Sequence, residues 1–133
     1  MLSSVLMKNR RFLGLSALSA GMFVTLVAAA MPQAMKGAGL WEVSKSAVGH
    51  GERICLSDPA LLTQWEHRRS QCTRVVVSST AERAVVQYTC TGGGFGTAKV
   101  QVITPRSVRI DLQGINDKYP FGYVLHARRV GNC

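Results

Sequence analysis

Acidic residues are scarce in this chain. Seven Asp and Glu stand against sixteen Lys and Arg in 133 residues, a formal charge of +9. Glycoside cleavage by paired carboxylates needs two acids facing each other across a cleft. The few acids here fall mostly at turns or helix ends, Asp111 is placed on the wet side of its strand, and nothing motivates a catalytic pair. Histidine is equally sparse, with only His50, His67 and His126. A hydrolase triad needs Ser or Cys beside a His with an acid behind it. These three His fall in a turn, near a helix end and on the last strand, and no Gly-x-Ser-x-Gly occurs. They are expected to be unrelated surface or partly buried side chains.

Other absences narrow the chemistry further. There is no Cys-x-x-Cys, so a thioredoxin-like redox site and the common zinc patterns lack their ligand spacing. Thr91-Gly92-Gly93-Gly94-Phe95-Gly96 is glycine-rich. It lacks the Gly-Lys-Ser/Thr and the following helix that present N–H groups to phosphate. It is expected to be a flexible hairpin turn, or else a mobile rim over a ligand site. No internal repeat and no low-complexity segment occurs. The expectation is no catalytic residue, no metal ligand and no cofactor, with the ligand-binding residues unassigned.

What is present begins with an address. Lys8, Arg10 and Arg11 precede an uncharged, mostly apolar run from Phe12 to Ala30 that ends in Ala28-Ala29-Ala30. A basic start, an apolar middle and small residues at the end describe a secretory signal over residues 1–30. The rival reading is an uncleaved anchor, since the run is just long enough to span a bilayer. Cleavage after Ala30 removes three basic and no acidic residues, so the charge falls from +9 to +6. The protein is expected to be periplasmic or secreted, meeting a membrane only through an uncleaved signal segment.

All four cysteines, Cys55, Cys72, Cys90 and Cys133, follow that segment. An even count in a small exported domain implies two disulfides, with three possible connectivities.

Residues 31–38 contain Pro32 and Gly37 and read as a flexible lead-in. Residues 39–133 read as a single disulfide-stapled β domain. Gly39 to Ser44 makes a first strand, Gly49-His50-Gly51 a turn, and Arg53 to Leu56 a second strand. Ser57 or Asp58 caps a helix with Pro59 in its first turn. That helix runs to about Arg69 and packs through Leu61, Leu62 and Trp65. From Cys72 onward short strands dominate. In Ser107-Val108-Arg109-Ile110-Asp111-Leu112-Gln113 apolar and polar residues alternate, giving one dry and one wet face. Ala98 to Val102 alternates likewise, and Pro105 marks the turn between them. Placing Thr104 opposite Val108 sets Val102 against Ile110 and Val100 against Leu112. A last strand runs from about Phe121 to Val130.

The opening Gly39-Leu40-Trp41-Glu42-Val43 resembles that of a large family of small exported Gram-negative bacterial proteins, classified only as a domain of unknown function. The likeness continues through Cys55-Leu56 before a short helix, the spaced Cys72 and Cys90, the glycine-rich turn, and the ending Arg129-Val130-Gly131-Asn132-Cys133. The family implies no established activity, substrate or catalytic residue. Gly39-Leu40-Trp41 is also similar to the Gly-x-Trp that opens lipocalin-type barrels, where a basic residue covers the indole. There Arg128 or Arg129 would play that part by a cation–π contact. The plainer reading is a core Trp at the start of a strand.

The fold expected is mainly β: a curved antiparallel sheet or incomplete barrel of about seven strands with one short helix. Its dry face is Trp41, Val43, Val86, Tyr88, Val100, Val102, Val108, Ile110, Leu112, Tyr123 and Leu125. The disulfides expected are Cys72–Cys90 and Cys55–Cys133. The first follows if Ser79 pairs with Arg83 across a three-residue loop, which sets Cys72 opposite Cys90. Cys55–Cys72 with Cys90–Cys133, and the crossed pairing, stay open at this point.

The function expected is non-enzymatic. The first reading is a binding or structural module that holds an apolar or amphipathic envelope molecule, such as a lipid, in the concavity of the sheet. The alternative is an inhibitor or partner-binding protein that docks through a loop or a sheet edge. An unrecognised enzyme is the third. Arg68, Arg69 and Arg74, and the adjacent Arg128 and Arg129, suit anionic head groups or polysaccharide, or are simply solvated. Nucleic acid conflicts with export and lacks a recognisable module.

Overall fold

A computed structural model describes residues 21–24 and 29–133. The basic start and most of the apolar run of the signal segment lie outside the described residues. No helix among the described residues is long and apolar enough to cross a membrane.

Seven antiparallel strands form one open sheet. They are β1 (Gly39–Ser44), β2 (Glu52–Leu56), β3 (Cys72–Ser79), β4 (Arg83–Cys90), β5 (Phe95–Thr104), β6 (Ser107–Asn116) and β7 (Tyr119–Gly131). Their spatial order is β2-β1-β7-β6-β5-β4-β3. From β3 to β7 each strand pairs with the next, as short turns favour. β1 then lies beside β7, so the chain's last strand joins its first. The sheet does not close, and β2 and β3 are its edges.

The alternating sequence sorts side chains as strand geometry requires. Trp41, Val43, Val86, Tyr88, Val100, Val108, Ile110, Leu112 and Leu125 are all buried on one side. Val102 and Tyr123, expected with them, are half-buried at the rim. Fully burying one such aliphatic side chain is worth about 1.5–3 kcal/mol, so this face dominates the stability of the domain. The register between β5 and β6 differs from expectation. Val102 faces Val108, Val100 faces Ile110 and Ala98 faces Leu112, a slip of two residues. The reason is the turn. Thr104 pairs with Ser107, their hydroxyls lie 2.7 Å apart, and Thr104 Oγ1 also accepts the Arg106 N–H. An even slip leaves every side chain on its expected face. The odd residue, Ile103, is left as an exposed irregularity in β5.

The expected helix is a 3-10 segment, Pro59–His67, rather than an α-helix. Asp58 caps it, its carboxylate accepting the Ala60 N–H at 2.9 Å, and Pro59 takes the first position. Thr63 donates back to the Ala60 carbonyl at 2.6 Å, a local bond that suits the tighter i-to-i+3 winding. The backbone leaves helical geometry at Gln64. The segment lies across β4, β5 and β6. It buries Leu62 and Trp65 against the sheet, with Leu61 half-buried beside them.

Within residues 31–38, expected as a flexible lead-in, Pro32 and Met35 are buried, while Gln33 and residues 36–38 are exposed. Pro32 starts a 3-10 turn at Gln33–Met35. Met35 is 1% exposed, and Met31 and Ala34 pack against the same cluster. The long unbranched side chain of Met35 joins the same core cluster as Leu62 and Trp65. The inner face of the sheet is therefore covered by the protein's own Met35, Leu62 and Trp65.

Candidate functional site

The two disulfides are Cys72–Cys90 and Cys55–Cys133. The first staples the hairpin of the outer strands, and the second ties the chain's end to edge strand β2. No cysteine is free, which removes a thiol nucleophile.

The histidines do not assemble. His50 is exposed, and His126 lies on the outer face of the sheet opposite Arg109. His67 is buried on the inner face, its Nδ1 2.9 Å from the Tyr88 hydroxyl. Its Nε2 is buried without a hydrogen-bond partner among the described residues. The glycine-rich turn explains the fit. Gly92 and Gly93 adopt positive φ to reverse the chain. Gly94 has no side chain for a different reason: a Cβ there would overlap Nε2 of His67. A Cβ at Gly96 would likewise collide with the Tyr88 hydroxyl. The turn is thus a slot for a buried His–Tyr pair. This role was missed in the sequence, where only the composition of the turn is visible.

The other candidates separate. Arg74 binds Gln64 Oε1 at 2.6 Å and the Asp58 carboxylate at 3.1 Å. Arg128 pairs with Glu42 at 3.3 Å, and Arg53 meets the same carboxylate at 3.3 Å. Neither Arg128 nor Arg129 makes a cation–π contact with Trp41, contrary to the lipocalin-like expectation. Arg129 lies over Gly39 and donates to the Ala38 carbonyl and to Asn132. Trp41 is a fully buried core residue. Asp111 is half-buried on the outer face beside Lys99. No group of three metal-ligating side chains occurs among the described residues.

Arg68 and Arg69 do contribute to a site. A cleft of about 310 Å³ opens where the 3-10 segment ends over β7. Trp65 and Tyr123 form its aromatic walls, and Lys45, Arg68 and Arg69 supply charge. The Lys45 ammonium stands 4.1 Å above the Tyr123 ring, and the Arg68 guanidinium 4.2 Å above Trp65. A ring face attracts a cation through its quadrupole without taking up its N–H groups as a carboxylate does. Glu66 is the one acid in the lining, and both its oxygens are engaged. Asn116 donates to one at 2.7 Å and the Tyr123 hydroxyl to the other at 2.8 Å.

That network holds two phenols in their neutral form. Burial pushes the Tyr88 hydroxyl up to about 12, and the charge of Glu66 adds to the effect. Tyr123 is raised further. Burial is again the first cause, followed by its bond to Glu66 and the charges of Glu66 and Tyr88, with Arg68 acting the other way. A phenol that donates to a carboxylate keeps its proton.

The cleft joins parts of the chain that sequence reading treated separately: a loop lysine, the end of a helix and a β7 tyrosine. The only local signal for it was the basic run at Arg68-Arg69. Comparison with protein-family models, with curated proteins and with solved structures finds no match for this chain.

Proposed function

We propose that this is a non-enzymatic binding module of the periplasm or secreted space, and that it takes an amphipathic envelope molecule at the cleft beside Trp65 and Tyr123. The observation that carries the reading is a cleft whose two aromatic walls each carry a cation, Lys45 over Tyr123 and Arg68 over Trp65, with Arg68 held only by a long contact to Glu52. The export signal read in the sequence and two disulfides support the compartment. The ligand's place differs from the one first expected. Met35, Leu62 and Trp65 cover the inner face of the sheet among the described residues, which favours a place for the molecule at the rim. Native mass spectrometry after mild extraction tests this. A co-purifying amphiphile that leaves when Trp65 is replaced by Ala supports the reading, and a protein that emerges bare under every mild detergent overturns it.

One observation favours a second reading, docking of a protein partner through a sheet edge. The two edges are unequal. β2 is short, carries Glu52 and Arg53, and is tethered by Cys55–Cys133. β3 is eight residues long, with one charge, and exposes Val75 and Val77. An open edge rich in β-branched residues is a template for strand addition. Crosslinking in the native envelope distinguishes this reading: a partner captured from position 75 but not from position 45 favours the edge.

A further inference from the structure

We infer that the cleft recognises an oxyanion of the phosphate class through Lys45, Arg68 and Arg69; this rests on the amphiphile-binding reading and names the head group. Among the described residues Lys45 and Arg69 form no ion pair, and Arg68 has only a long contact of 3.7 Å to the half-exposed Glu52. The other arginines on the inner face and around β1 are tied. Arg74 is held by Asp58 and Gln64, and Arg53 and Arg128 share Glu42.

The Arg68 guanidinium lies 4.2 Å over the Trp65 ring, a contact that does not consume its N–H groups. A planar fork of N–H groups suits the paired oxygens of a phosphate. Lys45, on the loop after β1, stands over Tyr123 on β7, while Trp65 and the arginines belong to the 3-10 end. An anion between them bridges two segments far apart in sequence.

Three cations in the lining face one acid, Glu66, which keeps its charge. Both oxygens of Glu66 accept hydrogen bonds. The carbonyl of Trp65 accepts the Arg68 N–H, and that of His67 accepts from Ser70 and Gln64. A volume of about 310 Å³ is larger than a bare phosphate ion needs and too small for a full acyl chain, which fits a head group with its tail outside.

The test titrates the oxidised, purified protein with four probes, reading tryptophan fluorescence and, in parallel, calorimetric heat. The probes are inorganic phosphate, a short-chain phosphatidic acid, the matching phosphatidylcholine and an uncharged alkyl glucoside. Saturable binding of phosphatidic acid is expected, weakened roughly tenfold by Lys45→Ala or Arg69→Gln, as loss of one charge-assisted contact implies. Both positions are exposed, so these variants fold. Glu52→Gln, which frees Arg68, is expected to tighten binding. Lys99→Ala, on the outer face, is expected to change nothing. Inorganic phosphate binding as tightly as the lipid would assign the site to the free ion and keep the oxyanion chemistry. Equal binding of the uncharged glucoside, with no effect of the cation variants, overturns the oxyanion and leaves the amphiphile reading standing. If no probe binds, both fall.

Discussion

Cys72 lies directly opposite Cys90 because Val77 is left out of the ladder between them and the turn. The hairpin turn is tight. The Thr80 N–H donates to the Arg83 carbonyl at 2.7 Å, while the Thr80 hydroxyl accepts from Arg83 and Glu82. Ser79 consequently faces Ala84, not Arg83 as the sequence suggested. An unbroken ladder from that turn would put the two cysteines one residue out of step, on opposite faces. Between Val76 and Ser78 the register shifts by one, Val77 is left over, and Val76 faces Val86. A bulge restores the pairing that the turn alone would deny.

Deleting Val77 is therefore expected to leave Cys72 opposite Cys90 in a regular hairpin. A non-reducing peptide map of the variant checks this, and a free Cys72 thiol would contradict it. The two bonds also differ in what they contribute. Their sequence separations are 78 residues for Cys55–Cys133 and 18 for Cys72–Cys90. In the chain-entropy view these correspond to about 4–5 and about 3 kcal/mol. Replacing Cys55 and Cys133 by Ala is expected to lower the denaturant midpoint more than replacing Cys72 and Cys90.

Gly94→Ala is expected to destabilise the fold by about 1–3 kcal/mol, the usual cost of overfilling a packed site. The added methyl displaces the His67 ring and breaks its bond to Tyr88. The effect should shrink when His67 is also Ala, because the clash is then absent. A double-mutant cycle by thermal melting measures that coupling. Full additivity would show that the turn, not the ring, needs glycine.

Alkaline pH is expected to weaken the fold through Tyr88 and Tyr123. Each holds its proton more tightly than the ordinary tyrosine value of 10.0. A group with a raised folded value contributes stability that is fully present below the unfolded value. That contribution is lost as pH climbs through the folded one. Stability should fall from about pH 10 and go on falling through about 12, the value of Tyr88. In the Tyr88→Phe, Tyr123→Phe double variant this slope should flatten. Denaturant melts across that range, with tyrosinate absorbance as the titration signal, make the comparison.

Alternation, a property of neighbours along the chain, was enough to place β1, the strands after Cys72 and nearly all of the dry face. The Cys72–Cys90 pairing came out as expected by another route: the turn sets Ser79 against Ala84, not Arg83, and the shift at Val77 makes up the difference. The β5–β6 slip shows the limit: the face was legible because it depends on parity, while the partner depended on how Thr104 and Ser107 close the turn. Burial of Met35, the 3-10 form of Pro59–His67 and the slot that Gly94 makes for His67 were not legible at all. Each depends on the volume left between sheet and covering segments, and no local pattern encodes a volume. The cleft is the extreme case. Lys45, Trp65 to Ser70 and Tyr123 share no spacing or motif, and meet only because β1 folds back beside β7 and the 3-10 segment ends above them.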